Sequence, residues 1–165
     1  MRRAMPAIVL GGVLAAVARP APGAERAPLP AFELRSLDDH AVSGPTVARS
    51  GTWLLVYVRE HSSHSRALLK LVARKESRLL PERVVVMVGA TSDGARRMRQ
   101  GYASLAHAGW YADAAGAAFA QLDLHGAPSV FGMRGDRIEW TLQGTLPRQK
   151  ELASLFESWL KPSRP

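Results

Sequence analysis

Residues 61–65 read His-Ser-Ser-His-Ser and hold the side chains best suited to chemistry in this 165-residue chain. A serine hydroxyl becomes a useful nucleophile only beside a general base, and His61 and His64 flank Ser62. Serine catalysis also needs a group that orients the base and an oxyanion hole, and neither is recognisable here. The plainer role is therefore adopted: Ser62 and Ser65 are polar residues that cap N–H groups at a helix start. Histidine offers a second chemistry. His61-x-x-His64 lies at the same helix entrance, His125 stands further along the chain, and imidazole suits copper or zinc. No metal and no cofactor is assigned on this basis, and His61, His64 and His125 remain the metal candidates. His40 and His107 occupy turn or helix-end contexts and need no function.

The elements around this stretch explain why it would be presented. Trp53 to Val58 is a continuous apolar run of the kind that suits a strand buried on both faces. After Arg59–Glu60–His61 comes Ser62-Ser63-His64-Ser65, and then a helical pattern with Leu68, Leu69, Leu71 and Val72 on one side. A buried strand thus delivers a polar tetrapeptide to a helix N-terminus, whose N–H groups and dipole favour a negative group.

Composition sets the limits. The chain is 47% hydrophobic and 22% charged, ordinary for one compact soluble domain. It has no cysteine, which excludes disulfides, thiolate metal sites and thiol catalysis in cis. Arg2 and Arg3 precede an apolar stretch, Ala7 to Ala18, that is too short to span a membrane comfortably. Ala16-Val17-Ala18 offers a cleavage site and Ala24 a second. Residues 1–24 are thus expected to be a signal peptide, residues 25–165 the domain, and the protein periplasmic or secreted. Contact with the membrane is expected only through that segment if it stays uncleaved. Cleavage after Ala24 removes three arginines and no acids, leaving 19 cations against 14 anions. Arg74, Lys75, Arg78, Arg96, Arg97 and Arg99 read as scattered on helix faces without interleaved aromatics. No nucleic-acid partner is expected, and an acidic partner stays open.

Arg19 to Pro30 is a Pro/Ala-rich tether, and Phe32 to Val42 has a hairpin pattern with Asp38-Asp39 at its turn. Pro81 ends a first helix of about fifteen residues, and Val84 to Val88 is a second buried strand. Ser92 or Asp93 is expected to cap a helix that runs to about Ala106. Trp110 to Asp113 reads as a short strand with its turn, and Ala114 to Leu122 as a short helix. Val130 to Met133 and Arg137 to Leu142 are strands around a tight turn at Arg134-Gly135-Asp136. Arg148 to Leu160 closes the chain as a helix with Leu152, Leu155, Phe156, Trp159 and Leu160 inward.

This order and the stretch Trp53 to Arg66 resemble the thioredoxin-like superfamily, whose active-site tetrapeptide is Cys-x-x-Cys. Laid without gaps, Ser62 and Ser65 fall at the two cysteine positions. Gly126-Ala127-Pro128-Ser129-Val130-Phe131 resembles the family's G-x-P-T-x-x segment, with Asp113, Gly116 and Phe119 upstream matching the same region's habit. Leu29-Pro30-Ala31-Phe32-Glu33-Leu34 is similar to the "LPxFxL" strand of the periplasmic thiol-disulfide branch. The resemblance covers roughly Leu29 to Leu160. It implies an α/β fold with a central mixed sheet flanked by helices and an N-terminal hairpin extension. It also implies a cis Ala127–Pro128 peptide facing the tetrapeptide across a shallow groove lined by Ser62, Ser63, His64, Ala127, Pro128 and Ser129.

Two function classes follow. Thiol-disulfide exchange is what the resemblance implies, and the missing thiols contradict it. A binding module keeps the groove, where the family holds extended peptides through backbone hydrogen bonds. The expectation is a redox-inactive binding or assembly factor for an exported or envelope protein. The alternatives are a member of a thiol-disulfide pathway acting through partner thiols, or a histidine-based copper carrier.

Overall fold

The computed structural model describes residues 27–74, 81–143 and 148–161. The expected signal segment, residues 1–24, lies outside the described residues. Seven strands form one sheet: β1 (Glu33–Ser36), β2 (Ala41–Ser43), β3 (Thr52–Val58), β4 (Val84–Val88), β5 (Gly109–Ala112), β6 (Ser129–Arg134) and β7 (Arg137–Gln143). Their spatial order is β2-β1-β5-β4-β3-β6-β7. β3, β4 and β5 run parallel, while β1 and β2 at one edge and β6 and β7 at the other are antiparallel to their neighbours. The helices are α1 (Ser63–Val72), α2 (Ser92–Gln100), α3 (Ala117–Gln121) and α4 (Gln149–Leu160).

The apolar runs are continuous because both sheet faces are covered. Leu54, Val56 and Val58 of β3 pack with Leu68 and Leu69 of α1, Met98 of α2 and Phe156 of α4. Trp53, Leu55 and Tyr57 point the other way, among Phe32, Val47, Met87, Phe131 and Ala118 of α3. Period-2 alternation thus divides one strand between two cores. Each fully buried leucine here stabilises the fold by roughly 1.5–3 kcal/mol.

The β1–β2 hairpin turns through Asp39, which has φ 64. The β6–β7 hairpin pairs Arg134 with Arg137 and places Gly135, with φ 59, first in its two-residue loop. Glycine takes that left-handed position without steric cost.

Several boundaries differ from expectation. α1 has ten residues rather than about fifteen, closing at Ala73, whose N–H donates to Leu69 O. Thr91, not Ser92 or Asp93, is the N-cap of α2, and its Oγ1 accepts the Gly94 N–H at 3.3 Å. Ser92 is occupied elsewhere, donating to Asp39 Oδ1 at 2.8 Å. α2 stops at Gln100 with Gly101 as its C-cap, and a separate 3-10 turn spans Ala103–Leu105. α3 starts at Ala117, not Ala114, after Gly116 takes a left-handed φ of 71. On α4, Leu152, Phe156 and Leu160 are buried one turn apart, whereas Leu155 lies on the flank and is 36% exposed. Trp159 is half-buried.

Candidate functional site

The site begins where β3 ends. Ser62 is the N-cap of α1, with extended backbone (φ −87, ψ 122), and its Oγ accepts the Ser65 N–H at 3.1 Å. Ser65 is fully buried, and its Oγ accepts the Arg59 N–H at 3.1 Å. One hydroxyl therefore closes the first helical turn, and the other ties that turn back to the end of β3. Ser63, His61 and His64 are exposed, while Ser62 is half-buried. No imidazole is bonded to Ser62 among the described residues, so the geometry offers the hydroxyl no general base.

The side chains around this turn are mutually engaged. Arg59 places its guanidinium 4.8 Å from the centre of the Phe119 ring, and Phe119 packs at 5.7 Å against Tyr57. The Tyr57 hydroxyl donates to Asp113 Oδ2 at 3.0 Å. Asp113 is 3% exposed, and its carboxylate also accepts the N–H groups of Ala118 (3.1 Å) and Phe119 (3.0 Å) at the start of α3. Burial first, and then the adjacent Asp113, hold the Tyr57 phenol well above its ordinary pKa. On the other flank, Glu60 accepts from Arg97 at 3.0 and 3.2 Å. His61 Nε2 lies 3.9 Å from the second Glu60 oxygen.

The second loop enters β6. The register Tyr57↔Ser129 sets the start of β6 beside the end of β3, so residues 59–65 and 125–128 leave the same end of the central strand pair. The Ala127–Pro128 peptide is cis. Pro128 and Ser129 are buried, and Gly126 and Ala127 are half-buried. The Ser129 hydroxyl donates to Gly126 O at 2.8 Å, so that side chain faces its own loop rather than an open groove. His125 is exposed, and its N–H donates to Gln143 Oε1 at 3.0 Å. Ala127 makes no hydrogen bond through its N–H or C=O among the described residues.

Of the expected groove residues, Ser63 and His64 stay accessible, and Ser62 and Ala127 are half so. Ser65, Pro128 and Ser129 turn inward. The structure does not gather His61, His64 and His125 into one cluster: no group of three or more His, Cys, Asp or Glu that could hold a metal ion occurs among the described residues. Sequence reading missed Tyr57, Arg59, Glu60 and Arg97 as parts of this region. It noted Asp113 only as a turn residue matching the family's habit. The available signal was a lone Asp ahead of a short helix, which is a capping pattern.

No protein-family model matches the chain, and no curated protein sequence matches it. Solved structures do match by shape. A secreted disulfide oxidoreductase of Mycobacterium tuberculosis is 14% identical with a TM-score of 0.57, over 77% of this chain and 95% of that one. The exposed lipoprotein thioredoxin Etrx1 of Streptococcus pneumoniae is 14% identical with a TM-score of 0.53, over 78% and 99%. A thioredoxin-like protein of Aeropyrum pernix is 14% identical with a TM-score of 0.57, over 78% and 89%. The chain has the thioredoxin-like fold, with a mixed sheet, flanking helices and an N-terminal hairpin, and it has it without a cysteine.

Proposed function

We propose that this chain is an exported, redox-inactive binding module that holds an extended segment of an exported or envelope protein across the two loops at the end of β3 and the start of β6. The observation that carries the reading is how the two serines are used. At the positions that match the family's thiols, both hydroxyls are committed to backbone N–H groups. Beside them, Ala127 keeps an unpaired N–H and C=O among the described residues. Main-chain pairing with an extended peptide needs such groups and needs no thiol. Export is supported by the secreted and exposed proteins of the same shape and by the apolar, Arg-led N-terminus. No helix among the described residues is long and apolar enough to cross a membrane.

Site-directed photo-crosslinking in the exporting cell tests this. A benzophenone side chain at His64 and one at Ala127 should capture the same polypeptide. One at Glu82, exposed at the opposite end of the sheet, should not. Equal capture at all three positions, or none at the first two, overturns the reading. Insulin reduction with dithiothreitol should stay at background, and turnover above it would overturn redox inactivity.

A further inference from the structure

We propose that the cleft between α1 and α2 is a second docking surface, one that takes an extended acidic segment of a partner polypeptide. The cleft measures about 790 Å³, within the range of ligand-binding clefts. Arg66, Lys70 and Arg74 line it from the α1 side and Arg97 from α2, with Met98 and Tyr102 among the apolar lining. Glu60 is the carboxylate that lines it among the described residues, and Glu60 is held by Arg97.

Arg66 and Lys70 are exposed and have no ion-pair partner among the described residues. They stand four apart on one helix face, an arrangement of like charges that costs helix stability instead of adding to it. A cation row kept at that cost, beside an apolar floor, is complementary to an acidic ligand with some apolar character. The spacing selects the form of that ligand. Arg66 and Lys70 stand four residues apart on α1, a step of about 6 Å along the helix axis, and Arg74 follows just past the end of the helix. Same-face side chains of an extended peptide recur at about 6.7 Å. Carboxylates at alternate positions of an extended segment therefore meet Arg66 and Lys70, while the intervening backbone lies over Met98 and Tyr102.

The occupant comes from another molecule. The stretches of this chain outside the described residues are neutral or carry more Lys and Arg than Asp and Glu. None supplies the acidic run. The cleft adjoins the loop pair of the preceding section, since Glu60 and His61 line it, but its cations Arg66 and Lys70 lie on α1 outside those loops, so either surface can fail without the other.

The test uses the full chain and a fluorescein-labelled octapeptide of alternating Glu and Val. Fluorescence anisotropy should show binding that weakens steeply as salt rises, since the contacts are between exposed charges. Alternating Lys and Val should not bind. An isomer with the four Glu contiguous should bind several-fold more weakly. The double variant Arg66→Ala/Lys70→Ala should lose affinity by about tenfold or more, on the scale of one or two charge-assisted contacts. Alanine is the best helix former, so the thermal melt should not fall. If it does, Arg66→Gln/Lys70→Gln gives the same comparison. No binding below about 1 mM, equal binding of the two Glu isomers, or unchanged affinity in both double variants overturns the proposal. So does tighter binding of tripolyphosphate or anionic phosphatidylglycerol vesicles than of the peptide.

Discussion

At the scale of single residues, the most consequential group is one whose full role no local pattern states. Asp113 gathers the Tyr57 hydroxyl and two N–H groups of α3 onto one carboxylate, joining β3 to the opposite layer across 56 positions of sequence. Asp113→Ala removes a helix cap and leaves a buried hydroxyl without an acceptor. It should destabilise the fold by about 2–4 kcal/mol in urea unfolding. Tyr57→Phe should cost less, about 1 kcal/mol, because the two N–H donors remain. The raised phenol pKa also sets a pH dependence. Above about pH 10 the unfolded chain gives up the Tyr57 proton while the folded chain keeps it, so the unfolded state binds fewer protons. The stability this proton confers is fully present below about pH 10 and declines above it, and the decline should be shallower in Tyr57→Phe. Equal slopes in alkaline urea titrations would remove Tyr57 from the account. Only part of this was legible in the sequence. An Asp before a short helix announces a cap, but nothing local announces that a tyrosine half a domain away completes it.

At the scale of elements, legibility followed how locally each signal is written. β3, β4 and the start of α1 were readable because an apolar run and a capping serine state them within a few residues. α2 was misplaced at both ends for physical reasons. Thr91, Ser92 and Asp93 are all capping types, but Ser92 bonds Asp39 and Asp93 bonds Arg96, and Thr91 takes the role. The cations that read as scattered are in part tied: Arg96 bonds Asp93 and Leu37 O, Arg97 bonds Glu60, and Arg99 donates to Ala106 O. The α1–α2 cleft was invisible because it needs two helices brought side by side. The first turn of α1 itself is testable. Ser62→Ala should cost about 1 kcal/mol as a lost cap, and Ser65→Ala about 1–3 kcal/mol, since the Arg59 N–H is then left unpaired. The double change Ser62→Cys/Ser65→Cys should form a disulfide on mild oxidation. Positions three apart at a helix start fall within the Cα separation of about 4.4–6.8 Å that a disulfide needs. Thiol titration reads the result, and thiols that stay free would break the correspondence between these serines and the family's cysteines.

At the scale of the whole molecule, the β7 edge of the sheet is closed by packing around an absent side chain. Trp140 of β7 lies directly over Gly132 of β6, at the bulge between Gly132 and Met133, in the space a Cβ would occupy. Trp159 of α4 meets Trp140 edge-on, with ring centres 5.7 Å apart, and its Nε1 donates to Trp53 O at 3.1 Å. Strand, hairpin and closing helix are thereby fastened to β3, the strand that also carries the serine turn. Among the described residues the Trp140 Nε1 is buried without a hydrogen-bond partner, which costs stability. Gly132→Ala should displace the indole and destabilise the fold by about 1–3 kcal/mol, as overpacking of a filled core does. In a double-mutant cycle with Trp140→Leu the two changes should cost less together than their sum, because the smaller ring vacates the contested space. The effect should also be directional. Gly132 lies three residues from Ser129, so peptide capture at Ala127 should weaken, while acidic-peptide binding between α1 and α2, on elements other than the β6–β7 hairpin, should hold. Strictly additive costs, or equal loss at both surfaces, would show that Gly132 acts on global stability and not through the strand that links the closing helix to the loop.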